Sequence, residues 1–252
     1  MSLDDIDDVE TLYGIKKLPR QSKIELREIH GVLPSRHDRN PIRTSATSQT
    51  STFVYKVAAT GFKEEIGLVE SQAEVAVGEE LLLSPETYDV EFQPLTFDYE
   101  YPKGRTKPHT IDIRLTTISG RRVLVFVRYE ESLLKPKVWD EIEAIRAAYP
   151  RTEADDFIVI NANDYTRPRR ENLRRMHRLV MFQPDDLADE MVFEAVQELK
   201  TLWLMKDLCK AMNLSKARVF QSCLRLIARG RLGANMDAVI CHHSRIWRTE
   251  TC

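Results

Sequence analysis

The chain has 252 residues, 42% hydrophobic and 30% charged, with a formal net charge of −2. That length suggests one large domain or two ordinary ones, with enough apolar material for a core. No run of about 18 apolar residues is present, which argues against a membrane-spanning helix, and a near-neutral balance makes nucleic-acid contact a question of where charges cluster.

The first eight residues, Met-Ser-Leu-Asp-Asp-Ile-Asp-Asp, are acidic. They lack the basic-then-apolar order of a signal peptide, so a cytoplasmic location is expected. Residues 1–60 show little periodicity and read as an N-terminal arm. It carries Lys16, Lys17, Arg20, Lys23, Arg27, Arg36, Arg39 and Arg43, then a polar run from Thr44 to Thr52. Too few apolar groups are present there to fix a core, which leaves a solvated arm or one that contacts phosphates.

From Ile66 the pattern sharpens. Val69, Ala73, Val77 and Leu81 recur at helical spacing, so residues 66–83 are predicted as a helix that ends before Ser84-Pro85. Val90, Phe92, Leu95, Phe97 and Tyr99 follow a strand pattern, interrupted at Gln93-Pro94 as at an edge or bulge. Residues 102–108 form a basic loop. Residues 110–115 then read as a strand with Ile111, Ile113 and Leu115 on one face and Asp112 and Arg114 on the other. A Ser119-Gly120 turn leads to Arg122–Arg128, whose apolar run from Val123 to Val127 suits a central strand covered on both faces. A helix over 136–149, a strand over 157–160 and a basic helix over 169–178 follow. Residues 61–183 are thus expected to form an α/β unit, a mixed sheet flanked by helices.

A second unit is expected over 184–252. Val192, Val196, Leu199 and Leu202 form one helical stripe, and residues 204–212 another short helix. Ser215 is placed to cap a third helix, 216–229, that buries Val219, Cys223, Leu226 and Ile227 and closes at Gly230. A basic hairpin over 231–240 completes the layout of a winged helix-turn-helix. Its outward face would carry Ser215, Lys216, Arg218, Gln221, Ser222 and Arg225 into a DNA groove, with Arg229, Arg231 and Arg245 on phosphates. Double-stranded DNA is the expected partner. Cys209, Cys223, Cys241 and Cys252 make no C-x-x-C pair, so Cys241-His242-His243 reads as idle thiol and imidazole rather than zinc ligands.

A second basic cluster lies at Arg167, Arg169, Arg170, Arg174, Arg175 and Arg178, with Arg170, Arg174 and Arg178 on one helical face. Glu171 alone interrupts it, and arginine suits phosphate contact. The alternative is a merely solvated face. The strand pair around Asp112 has the outline of a metal-dependent nuclease site: a strand aspartate, a tight turn, and a second strand ending in acid-x-Lys. Glu70 and Glu74, one helical turn apart, could complete an oxygen-rich magnesium pocket with Asp112. Their plainer reading is a soluble helix surface.

Taken in order, Glu70-Ser-x-x-Glu74, Gln93-Pro94, the Asp112 strand, Val125-Phe-Val-Arg128 and Asn172-Leu-Arg-Arg-Met-His-Arg resemble TnsA, the endonuclease subunit of heteromeric bacterial transposases. The resemblance covers roughly residues 30–250. It implies a restriction-endonuclease-like fold with a C-terminal winged helix, magnesium-dependent cleavage of 5′ strand ends, and work beside a DDE transposase and an AAA+ ATPase. By position it implies catalytic roles for Glu74, Asp112 and Arg128, with Glu74 and Asp112 as metal ligands. Phe126 stands where that family has Gln or Glu, Arg128 where it has Lys, and Ile111 where a proline is usual. Phe126 offers no oxygen to a metal, and arginine stays protonated and cannot act as a base. Two readings follow: a DNA-binding protein with a degenerate cutting site, active in transposition or its regulation, or an endonuclease with an altered ligand set. Glu130 lies too far along the strand to replace the residue at 126.

Overall fold

A computed structural model describes residues 26–42, 50–101, 104–198 and 203–249. Lys16, Lys17, Arg20, Lys23, Arg43, residues 44–49, Leu199, Leu202 and Cys252 lie outside them. The protein is α/β, with a mixed four-stranded sheet flanked by helices.

Residues 26–42 run without regular structure, apart from a bridge between Leu33 and Glu65. Strand β1 (Ser51–Lys56) then pairs antiparallel with β2 (Glu64–Val69). Ile66–Val69 is therefore a strand, not the first turn of a helix. The helical spacing misled because Glu65 through Val69 are all buried, which erases the alternation expected of a half-buried strand. Gly67 keeps the two strands close: a Cβ there would come within 2.8 Å of the Phe53 ring. Helix α1 (Gln72–Leu83) begins only after Ser71, whose hydroxyl accepts the Glu74 N–H at 3.2 Å. It then lies tightly on β3 (Thr87–Phe92) through Gly78, where a Cβ would sit 2.5 Å from Phe92.

Beyond β3 the chain changes sheets. Gln93 adopts a left-handed backbone (φ 53°), and β4 (Thr96–Tyr101) pairs with β5 (Arg105–Thr110) as a separate ribbon. The expected basic loop is thus partly strand. At Asp112 the chain bends back into the main sheet as β6 (Ile113–Thr117), beside β7 (Arg122–Arg128). The bend overturns the single face expected for Ile111, Ile113 and Leu115. Ile111 packs with Tyr99, Leu124 and Phe126, whereas Ile113 packs with Val123, Val125 and Val127 on the opposite side, and Leu115 joins the latter.

A single turn, α2 (Glu130–Leu133), precedes α3 (Pro136–Ala148), whose Ile142 and Ile145 cover the Leu124–Phe126 side. Strand β8 (Asp156–Asn161) runs parallel to β7 and completes the order β3-β6-β7-β8. Strand β7 is central and covered on both faces, as its apolar run predicts.

Helix α4 (Arg167–Phe182) joins two cores. Leu173 packs against the α1 side of the sheet, while Met176 and Leu179 belong to a second cluster. That cluster is built from α5 (Asp186–Glu198), β9 (Trp203–Leu204), α6 (Met205–Ala211), α7 (Lys216–Ala228), β10 (Leu232–Ala234) and β11 (Arg245–Arg248). The three strands form a small antiparallel sheet in the order β10-β11-β9. The partner of β10 is Arg245–Arg248, so the hairpin extends beyond the expected 231–240. Asn172 ties its connection to α4: its amide donates to the Ala238 carbonyl at 2.8 Å and accepts the Ile240 N–H at 2.9 Å. Among the described residues, no helix is long and apolar enough to cross a membrane.

Candidate nucleic-acid interface

Asp112 sits at the bend between ribbon and sheet. Its Oδ2 accepts the Val127 N–H at 2.8 Å and faces Arg128 Nη1 at 3.4 Å. Burial raises the Asp112 pKa, opposed by the Arg128 guanidinium and by the Val127 hydrogen bond. Arg128 lies over the Phe126 ring, its Cζ 3.5 Å from the centroid, and also donates to the Val127 carbonyl. Phe126 itself is 2% exposed and packs with His109 and Phe157. Of the two unusual residues, Arg128 lines the cavity beside Asp112; Phe126 does not reach it and supports the guanidinium from below.

That cavity, of about 610 Å³, is also lined by Asp38, Arg39, Glu70 and His109. Arg39 reaches Glu70 at 2.8 Å and the Gln93 side-chain oxygen at 2.9 Å, so this arm residue is a wall of the site and not a loose phosphate clamp. Arg36 is likewise held, by Glu65 at 2.7 Å and Asp89 at 2.8 Å. His109 titrates at about 4, held down by burial and then by the Arg128 and Arg39 charges. Arg39 Nε, His109 Nε2 and Gln93 Nε2 are buried without a hydrogen-bond partner. The cavity thus sets two guanidiniums, each facing a carboxylate, against Asp38, Glu70 and Asp112.

Glu74 follows a different local logic. Its Oε1 accepts the Ser71 hydroxyl at 2.9 Å and its Oε2 accepts the Glu70 N–H at 2.9 Å. With Ser71 capping the Glu74 N–H in return, Ser71-x-x-Glu74 works as a variant of the capping box. Burial, and next the Asp112 carboxylate, push the Glu74 pKa up to about 8. Glu70 precedes the helix and does not share a helical face with Glu74, correcting the expected one-turn spacing.

The carboxylates beside Asp112 are committed to protein partners that a magnesium ion would have to share or displace. Magnesium demands near-octahedral oxygen ligation. Each Glu74 oxygen already accepts a hydrogen bond in the helix cap, Asp112 Oδ2 is engaged by Val127 and Arg128, and position 126 offers no oxygen. No three His, Cys, Asp or Glu side chains converge to hold a metal among the described residues. Glu130 starts α2 and is no longer on the strand.

No protein-family model matches the chain, and no curated protein matches it in sequence.

The C-terminal arginines are placed differently from the expected outward face. Arg225 is 1% exposed and grips Asp189, with Nη2–Oδ1 at 2.7 Å and Nε–Oδ1 at 2.9 Å; Nη2 also donates to Ser222 Oγ, and Nη1 donates to the Gln183 carbonyl. Arg229 adds a second cation to Asp189 at 2.9 Å. Arg218 makes two 2.9 Å bonds to Asp185, and Arg231 binds Glu190 at 2.5 Å. The acids at 185, 189 and 190 therefore draw Arg218, Arg225, Arg229 and Arg231 toward α5. Ser222 is buried with them. Ser215 caps α7 by accepting the Arg218 N–H at 3.3 Å. Ser215, Lys216 and Arg245 remain exposed and Gln221 half-buried.

Helix α4 is less neutralised. Arg169 is taken by Glu80 at 2.5 Å, and Arg175 donates to the Ile240 carbonyl and lies over Phe220. Arg174 is exposed and donates to the Gln72 side chain at 2.8 Å. The side chains of Arg167, Arg170 and Arg178 make no hydrogen bond or ion pair among the described residues. The spacing of 170, 174 and 178 places these three on one face, as the sequence indicates.

The sequence singles out Arg39 as an arm cation and Gln93-Pro94 as a break in a strand, but places neither beside Asp112; His109 has no periodic context that marks it. The Ser-x-x-Glu cap and the acids at 185, 189 and 190 were visible as spacings, and each redirects a residue expected at a functional site.

Proposed function

We propose that the chain is a DNA-binding protein on a TnsA-like scaffold, a restriction-endonuclease-like domain followed by a winged helix, that holds DNA without cutting it in transposition or its regulation. The row of arginines on α4 carries this reading. Arg167, Arg170, Arg174 and Arg178 have no carboxylate within ion-pair distance among the described residues, and guanidiniums in that state favour phosphate oxygens. The order of α5, α6 and α7 with the small sheet supports the winged-helix part, with Lys216, Gln221 and Arg245 as its remaining DNA contacts. Arg128 and Arg39 support the loss of cutting, since they bring fixed cations to the cavity beside Asp112. A DDE transposase and an AAA+ ATPase are the partners this scaffold suggests.

Fluorescence anisotropy with a duplex oligonucleotide across a salt series tests the reading. Replacing Arg170, Arg174 and Arg178 together with alanine should weaken binding at least about tenfold and reduce the slope of log K against log salt by roughly 2 to 3. Unchanged affinity and slope would remove the α4 face from the interface.

A further inference from the structure

Between β1, α1 and α4 lies a second cavity, of about 370 Å³, with Phe53, Gln72, Glu79, Arg174, His177 and Arg178 in its lining. The volume falls within the roughly 300–1,000 Å³ of small-molecule sites. Two of its side chains are buried with an unmet hydrogen-bonding atom. Glu79 is 3% exposed and its Oε2 has no partner; His177 is 5% exposed and its Nε2 has none. They come from different helices, and neither is used by the site beside Asp112. Each such atom calls for a partner, whether a water, an ion or a ligand.

The charges are layered. Burial pushes Glu79 up to about 8, opposed by Arg174 and reinforced by Glu171, and burial holds His177 down at about 4. At neutral pH both inner groups are therefore uncharged, a carboxylic acid and an imidazole that can each donate and accept. Arg174 and Arg178 line the same cavity, are exposed, and keep their charge. The Phe53 ring meets His177 edge-on at 6.2 Å and supplies an aromatic wall.

We propose that this recess takes one nucleotide, its phosphate on Arg174 and Arg178 and its base edge against Glu79 and His177. A neutral acid pairs with a ring-nitrogen acceptor beside an exocyclic amine, the edge of adenine and cytosine. The nucleotide is either free or the unpaired end of a DNA strand lying along α4; only the second source rests on the DNA-binding reading.

Calorimetry on the full chain with dAMP, dCMP, deoxyadenosine and inorganic phosphate tests it. The expected result is saturable binding of dAMP or dCMP, at least about tenfold tighter than phosphate or the nucleoside alone. Glu79→Leu and the double change Arg174→Ala with Arg178→Ala should each weaken that binding about tenfold or more. Glu79→Gln should retain it, because an amide offers the same donor and acceptor, and its circular dichroism separates loss of contact from loss of fold. A second arm compares a blunt duplex with one bearing an unpaired 3′ adenine. A preference for the overhang that Glu79→Leu abolishes assigns the DNA end as the source; binding of free dAMP without that preference assigns the free nucleotide. Equal affinity for phosphate and dAMP, or an unaffected Glu79→Leu, overturns the proposal. Blunt-duplex binding with no response to any nucleotide or overhang removes the recess and leaves the DNA-binding reading standing; nucleotide binding with no duplex binding does the reverse.

Discussion

Replacing Asp189 with alanine leaves the Arg225 guanidinium buried without its carboxylate. Both side chains are 1% exposed, and Asp189 also receives Arg229 at 2.9 Å. The water that could compensate an exposed arginine is excluded here, so the loss exceeds that of a surface pair. Removing one partner of a buried pair costs about 3–5 kcal/mol, against roughly 0–1 kcal/mol for an exposed one. The retained bonds from Arg225 to Ser222 and the Gln183 carbonyl place Asp189→Ala toward the lower end of that range. Urea unfolding followed by circular dichroism measures it. Asp189→Leu combined with Arg225→Met should cost less than Asp189→Ala alone, because no uncompensated charge remains in the core. A cost below about 1 kcal/mol for Asp189→Ala would show that Arg225 reaches water, restoring it to the outward face.

Three further outcomes follow from the geometry. Gly78→Ala should destabilise the fold by about 1–3 kcal/mol despite alanine's better helix propensity, since its methyl would meet Phe92 at 2.5 Å; a gain in melting temperature would contradict that packing. Glu79 has a folded pKa of about 8 against an ordinary 4.5, so the native state holds the extra proton; its stabilisation is complete below pH 4.5 and is lost as pH rises through 8. The buried histidines act in the opposite direction, between pH 6.5 and about 4. From pH 6.5 to 8 stability should therefore fall, with Glu79 and the similarly raised Glu74 each contributing a slope of up to about 1.4 kcal/mol per pH unit; Glu79→Gln should remove about half of it, and an unchanged slope would count against a neutral carboxyl at 79. Arg128→Ala removes the cation facing Asp112 at 3.4 Å and should raise the Asp112 pKa further; carboxyl NMR titration would report no change if the guanidinium were turned away.

Legibility in the sequence tracked how much of each element one pattern controls. The run from Val123 to Val127 identified β7 because a strand buried on both faces leaves no room for polar residues. The stripe Val219, Cys223, Leu226 identified α7 because one buried helix face repeats about every 3.6 residues. Ile66–Val69 was misread because burial on both faces removed the alternation that separates strand from helix. The bend at Asp112 depends on Gln93 and Leu95 from another part of the chain, so a local window around 110–115 cannot contain it. At the site, Arg128 beside Asp112 was readable from the strand pair, whereas Glu74's commitment to a helix cap and Arg225's to Asp189 required partners to be identified. Acids at 185, 189 and 190 opposite arginines at 218, 225 and 231 show that charge on a predicted recognition helix has to be counted together with its neighbours.

The claim that the chain holds DNA and does not cut it at the site beside Asp112 is tested most directly by incubating the purified chain with supercoiled plasmid and magnesium or manganese. With Arg128 over Phe126 and both Glu74 oxygens in the cap, the plasmid should remain supercoiled while binding is still detected by a mobility shift. Metal-dependent nicking that disappears in Asp112→Ala would contradict it.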